Sequence, residues 1–154
     1  MTVVRFDNGN QNGKFDMVLR LVSDDTVQVR HNALESARQT SNRILEEALG
    51  KNGYFLRIVK YPFHILRENA MATGAGADRM SQGMTLSFGK PISVAAQVFK
   101  GETVMELRIN RKDIKLAKVA LNRARHKLPC VCRIVDATPS STKKKAAPAA
   151  PKAQ

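Results

Sequence analysis

At 154 residues the chain has single-domain length, and 26 Lys and Arg against 13 Asp and Glu give it a formal charge of +13, so its expected partner is a polyanion, nucleic acid first. A hydrophobic content of 43% supports a packed core, since a domain of this length buries roughly two-thirds of its unfolded surface, and this excludes a wholly disordered basic tail. With no run of 18 apolar residues and no apolar h-region in MTVVRFDNGNQNGK, the sequence predicts no membrane span, no secretory signal and a cytoplasmic location.

In chain order, residues 3–6 are a short apolar piece, followed by the turn-rich Asp7-Asn8-Gly9-Asn10-Gln11-Asn12-Gly13, which reads as a loop. Phe15, Met17, Leu19 and Leu21 alternate with Asp16, Val18, Arg20 and Val22 and predict a strand, turned by Asp24-Asp25 into a second short strand over 26–30. Asn32 and Glu35 have capping-box spacing, and Leu34, Ala37, Ser41, Ile44, Leu45 and Ala48 recur at three-and-four spacing. A helix is expected there, ending at Gly50. Residues 54–59 predict a strand that stops before Pro62.

Residues 67–91, RENAMATGAGADRMSQGMTLSFGKP, break the pattern with five Gly or Pro and no strand alternation. A structureless stretch this long within a domain is usually functional. If it doubles back at its middle, each arm reaches at most about 40 Å, at ~3.3 Å per residue, so its tip is expected to leave the body, ordering only against RNA.

Residues 92–99 and 103–109 are β-rich runs separated by Lys100-Gly101-Glu102, which predicts a hairpin pairing these two strands. A second helix over 112–127 carries Ile114, Ala117, Leu121, Ala124 and Leu128 on one stripe, with Lys115, Lys118 and Arg125 on an adjoining face. Pro129 stops it and residues 130–135 form a last strand. Cys130 and Cys132, the only cysteines, lie two apart, poorly placed for a disulfide, and read as reduced core thiols.

Residues 136–154 are Pro, Ala, Lys and Ser without periodicity and are expected to be a disordered tail. The charge is lopsided: residues 1–30 carry four Lys and Arg against four Asp and Glu, residues 111–154 twelve against two.

Val29-Arg30-His31-Asn32, helix, Arg57-Ile58-Val59 is echoed by Leu107-Arg108-Ile109-Asn110, helix, Arg133-Ile134-Val135, a layout of two strand-helix-strand halves. The expected fold is α+β: a two-layer sandwich in which a mixed, mostly antiparallel sheet carries two helices on one face. Residues 1–135 then form one RNA-binding domain with 67–91 as its extended loop.

Several of these stretches are also distinctive together: Arg30-His31-Asn32-Ala33-Leu34-Glu35, His64-Ile65-Leu66-Arg67-Glu68-Asn69, Met71-Ala72-Thr73-Gly74-Ala75-Gly76-Ala77-Asp78-Arg79, Gly83-Met84, Phe88-Gly89-Lys90-Pro91 and Lys127-Leu128-Pro129. In these the chain resembles the universal large-subunit ribosomal protein sixteen family, in its archaeal, ten-e form. The resemblance implies a non-enzymatic constituent of the large ribosomal subunit, active in translation. It would bind large-subunit rRNA near the aminoacyl-tRNA cleft, beside neighbouring ribosomal proteins and as a monomer, with the loop directed at the peptidyl-transferase centre and the tRNA acceptor end. Family members carry a longer basic arm ahead of the first strand, whereas these first thirty residues are neutral.

The RNA-binding residues expected from motif and charge together are Arg30, His31, Arg67, Thr73, Gly74, Gly76, Asp78, Arg79, Gly83 and Lys90, and, on and after the second helix, Lys115, Lys118, Arg123, Arg125 and Lys127. The chemistry agrees: glycines let the backbone approach a phosphate or a base, and Arg79 suits bidentate phosphate binding or stacking. Other classes fit less well. Gly83 to Lys90 is no phosphate-binding P-loop, because the spacing is wrong and Pro91 stands where Ser or Thr must bind magnesium. Gly74-x-Gly76 lacks the third glycine of a dinucleotide site.

A hydrolase built on Glu68, Asp78 and His64 is the alternative from another class, and a DNA-compacting basic protein shares the charge without explaining the loop. His126, Cys130 and Cys132 are one ligand short of a structural zinc site, and neither cofactor nor metal is expected.

Overall fold

A computed structural model describes residues 5–72, 74, 84–85 and 87–138. Its strands are β1 (Asp7–Gly9), β2 (Met17–Ser23), β3 (Val27–Arg30), β4 (Tyr54–Ile58), β5 (His64–Glu68), β6 (Lys90–Val98), β7 (Thr103–Ile109) and β8 (Cys132–Asp136). Among the described residues the helices are α1 (His31–Leu49) and α2 (Ile114–Arg125), α2 entered through a 3-10 turn at Arg111–Asp113. Five strands form one sheet in the order β1-β4-β7-β2-β8, and three form another in the order β3-β6-β5. Every pairing is antiparallel. The α+β class is as expected, but the anticipated single mixed sheet is two antiparallel ones.

Strand alternation sets the core. Leu19 and Leu21 of β2, Tyr54, Leu56 and Ile58 of β4, and Met105, Leu107 and Ile109 of β7 are buried on the helix side of the larger sheet, each large aliphatic side chain contributing about 1.5–3 kcal/mol on burial. Against them α1 sets Leu34, Ala37 and Leu45, and α2 sets Ala117, Ala120, Leu121 and Ala124. Small residues on α2 let the two helices pack closely on each other. Val29 of β3 and Ala96 and Val98 of β6 enter the same cluster, and α1, which touches β3, β4 and β6, joins the two sheets.

The expected pairing of residues 92–99 with 103–109 does not form. β6 pairs with β3 and β5, and β7 with β2 and β4, so all four strand edges are already satisfied. The Lys100-Gly101 turn instead carries the chain from one sheet to the other. Gly101 has φ +85° and donates its N–H to Ser23 O at 2.7 Å, while Ser23 N–H is bonded to Glu102 O at 3.0 Å.

Two local expectations also change. Asp7-Asn8-Gly9, read as loop, is an edge strand on β4 with Asp7 opposite Arg57. Gly9, at φ +86°, lies so close to β4 that a Cβ would stand 2.2 Å from Tyr54 O. The capping box at Asn32 and Glu35 is absent: α1 begins two residues earlier, and its cap residue Arg30 makes no side-chain cap bond. Glu35 is buried instead, accepting from Arg38 Nε and Gln39 Nε2 at 2.9 Å each, while Arg38 Nη1 reaches Asn8 Oδ1 at 2.9 Å and ties α1 to β1.

The outer face of the larger sheet is closed by charge. Across four strands Asp7, Arg57, Glu106 and Arg20 stand side by side. Glu106 accepts from Arg20 Nε at 3.0 Å and Arg108 Nε at 2.9 Å, and Asp7 from Arg57 Nε at 2.7 Å. Beneath the Arg57 and Arg108 guanidiniums, Phe55 is only 2% exposed. Burial pushes the Glu106 carboxyl up, but the hydrogen bonds from Arg108 and Arg20 outweigh it and hold the group below its ordinary 4.5.

A depressed carboxyl stabilises the fold above its unfolded pKa and loses that contribution as pH falls through the folded one. Glu106→Gln should therefore lower stability at pH 7 by about 1–2 kcal/mol, a Tm drop of roughly 3–10 °C. Thermal melts should show this gap closing as pH falls below the ordinary 4.5; a gap independent of pH would rule out the ionic role.

Candidate nucleic-acid interface

The basic residues fall into two populations. Arg20, Arg38, Arg43, Arg57, Lys60, Arg108 and Arg133 are held by carboxylates of the chain's own surface. Arg111, Lys112, Lys115, Lys118, Arg123, Arg125 and Lys127 are all exposed, and among the described residues none is in an ion pair. The apolar positions of α2 face inward, so its cations fill the solvent side by helical spacing. Only Asp113 contributes negative charge between residues 111 and 127. Desolvation of these cations costs little and their charge remains available for phosphate.

A second group lies on the smaller sheet. Arg30, Ala95 and His64 face one another across β3, β6 and β5. His31, at the first position of α1, has its Nδ1 3.1 Å from both Val94 O and Ser93 Oγ, so this ring extends the β6 edge where β3 ends. That gives His31 a structural duty that its sequence position did not reveal. α2 packs against β2, β7 and β8, so its cations and this second group occupy different sheets.

β5 and β6 form the stem of the central loop. His64 pairs with Ala95 and Glu68 with Lys90, with a register shift after Leu66 that lets Pro91 sit at the irregularity. The two ends of residues 67–91 are thus strand, and the chain doubles back, leaving residues 69–89 between the two strands. Gly89 makes the close approach: a Cβ there would lie 2.7 Å from the Glu68 carbonyl carbon and 2.9 Å from Asn69 N. Beside it the Arg67 guanidinium lies 3.8 Å from the Phe88 ring centroid. Phe88 is a surface aromatic that the sequence reading quoted in Phe88-Gly89-Lys90-Pro91 but did not count among the RNA-binding residues. Arg67, Gly74 and Lys90 are exposed; Thr73, Gly76, Asp78, Arg79 and Gly83, and the expectation that the loop tip orders only against RNA, lie outside the described residues.

The hydrolase constellation is not assembled. His64 and Glu68 stand four residues apart on one extended strand, about 13 Å at ~3.3 Å per residue, beyond proton-transfer reach, and Asp78 lies outside the described residues. His64 Nδ1 is buried with no hydrogen-bond partner among them. Cys130 and Cys132 are buried free thiols with Sγ atoms 3.3 Å apart. Burial, then the neighbouring Cys130, pushes the Cys132 thiol up to about 12, which suits an inert core pair. His126 is exposed, and among the described residues no three His, Cys, Asp or Glu side chains cluster as metal ligands. No described helix is long and apolar enough to cross a membrane.

Residues 2–135 match the family model described as Ribosomal protein L16p/L10e. Among curated proteins the chain is similar to the large ribosomal subunit protein uL16 of Staphylothermus marinus, 48% identical over 133 residues, covering 86% of this chain and 76% of that protein. It is 47% identical to the protein of the same name from Methanococcus aeolicus, covering 86% and 77%, and 47% identical to that from Thermofilum pendens, covering 86% and 79%.

Shortening the β5–β6 separation is the task of Gly89, and this can be checked. Gly89→Ala should force the stem apart at a local cost of about 1–3 kcal/mol. Hydrogen exchange should quicken at the β5–β6 amides while β2–β7 amides keep their protection. Unchanged exchange at Glu68 and Lys90 would show that the stem tolerates a side chain there.

Proposed function

The chain belongs to the ribosomal protein L16p/L10e family, non-enzymatic structural constituents of the large ribosomal subunit, and on that premise we propose that it holds large-subunit rRNA through α2 and presents residues 69–89 to the tRNA cleft. As a ribosomal constituent it works in the cytoplasm, and neighbouring ribosomal proteins are its other partners. The carrying observation is the row of seven exposed, unpaired cations between residues 111 and 127, set against α1, whose Arg38 and Arg43 are paired with Glu35 and Glu47. A phosphate backbone supplies the counter-charge that the chain lacks there.

In this reading the body anchors and the loop acts. Phosphate contacts from Lys115, Lys118, Arg123, Arg125 and Lys127 fix the register of the protein on rRNA without reading sequence, with Arg30, Arg67 and Lys90 adding contacts around the smaller sheet. The antiparallel stem of β5 and β6 holds the two described ends of that loop side by side on the smaller sheet. Thr73, Gly74, Gly76, Asp78, Arg79 and Gly83 then serve the tRNA acceptor end near the peptidyl-transferase centre, Arg79 neutralising phosphate charge and the glycines allowing close approach.

The triple variant Lys115→Gln, Lys118→Gln, Arg125→Gln should weaken rRNA binding and flatten its salt dependence by roughly 2–3 log units per decade of salt, about 0.7–0.9 per lost contact. An unchanged slope removes α2 from the interface. Equal affinity for duplex DNA and structured rRNA at one salt concentration would favour the DNA-compacting reading. Arg79→Ala should leave incorporation into reconstituted subunits intact and reduce tRNA accommodation or peptide-bond formation; subunits that translate normally would refute that role.

A further inference from the structure

At the mouth of the stem, Arg67 and Phe88 do something that phosphate anchoring does not require. Phe88 is 78% exposed, more than any other large hydrophobic side chain among the described residues. The Arg67 guanidinium lies 3.8 Å from its centroid, and among the described residues most of the rest of the ring is open to solvent. Asn69 and Ser87 complete, with Gly89, a recess of about 410 Å³. An aromatic face, an amide and a hydroxyl in one open recess are the elements that receive an unstacked base, by stacking and by hydrogen bonds to its edge.

We infer that the Arg67–Phe88 pair, with Asn69 and Ser87, is a binding site for one unpaired nucleobase of RNA at the foot of the central loop. The inference rests on the RNA-binding reading above and adds the ligand class at a position that charge alone does not select. Duplex RNA cannot fill the site, because its bases are already stacked and its edges already paired. The cation behind the ring strengthens the platform, since Arg stacks on an aromatic face as Lys cannot. Gly89, the residue after Phe88, lies against the Glu68 backbone, where a Cβ would stand 2.7 Å from the carbonyl carbon.

The chain contains no Trp and two Tyr, so full-length Phe88→Trp carries a single Trp at the site, excited selectively above the tyrosine absorption. Titrated with large-subunit rRNA, its emission should be quenched in step with binding, and a fully paired RNA duplex should bind without quenching it. Phe88→Leu, which retains apolar bulk at an exposed position and loses the stacking face, should bind rRNA roughly 5- to 150-fold more weakly with an unchanged salt slope. Wild-type affinity in Phe88→Leu, or rRNA binding that leaves the Trp unquenched, would overturn the base site and spare the rRNA reading. Emission that turns brighter and bluer only when ribosomal proteins are added would mean that the ring packs on protein and would also overturn it. Failure of the unmodified chain to bind rRNA would bring down both.

Discussion

The saturation of β7 on both edges is the constraint on which the rest of the molecule depends. With β2 on one side and β4 on the other, its amides and carbonyls have no capacity left. Its core face, Met105, Leu107 and Ile109, is fully buried. The strand that precedes it in sequence must therefore find partners elsewhere, and β6 becomes the centre of the smaller sheet. Because β6 runs longer than β3, its far end is free to pair with β5 alone, and that two-stranded extension is the stem from which the central loop departs.

Electrostatics divides the surface along the same lines. Where cations stand beside carboxylates across a sheet or at helical spacing they are neutralised within the fold, as Arg20 and Arg108 are by Glu106. α2 has no such neighbours, and its alanine-rich inner face keeps the helix flush with α1. Net charge thus becomes partly a located property: residues 111–127 carry seven Lys and Arg against one Asp, +6 of the total +13.

Much of this was legible in advance and some was not. The two strand-helix-strand halves exist, as β3-α1-β4 and β7-α2-β8, but β3 and β4 lie in different sheets whereas β7 and β8 both flank β2, so the echo is one of local order and not of architecture. Motif reading took Arg67 and Lys90 as RNA-binding and quoted Phe88 only as part of Phe88-Gly89-Lys90-Pro91, since an aromatic in a Gly-rich stretch looks like any hydrophobe until the fold sets Arg67 beside it.

By itself the sequence determined what depends on neighbours a few positions apart: the inward face of β2, the stripes of α1 and α2, the stop at Gly50, the excess of charge after residue 110 and the motifs that carry the family likeness. Only the tertiary structure decided which strands pair, where Asp7-Asn8-Gly9 belongs, that Glu35 binds Arg38 in preference to capping a helix, and which cations remain unpaired. The physical reason is that periodicity encodes which side of an element is apolar, whereas a strand edge carries the same amides and carbonyls whatever its side chains. Its partner is settled by competition among all the edges in the fold.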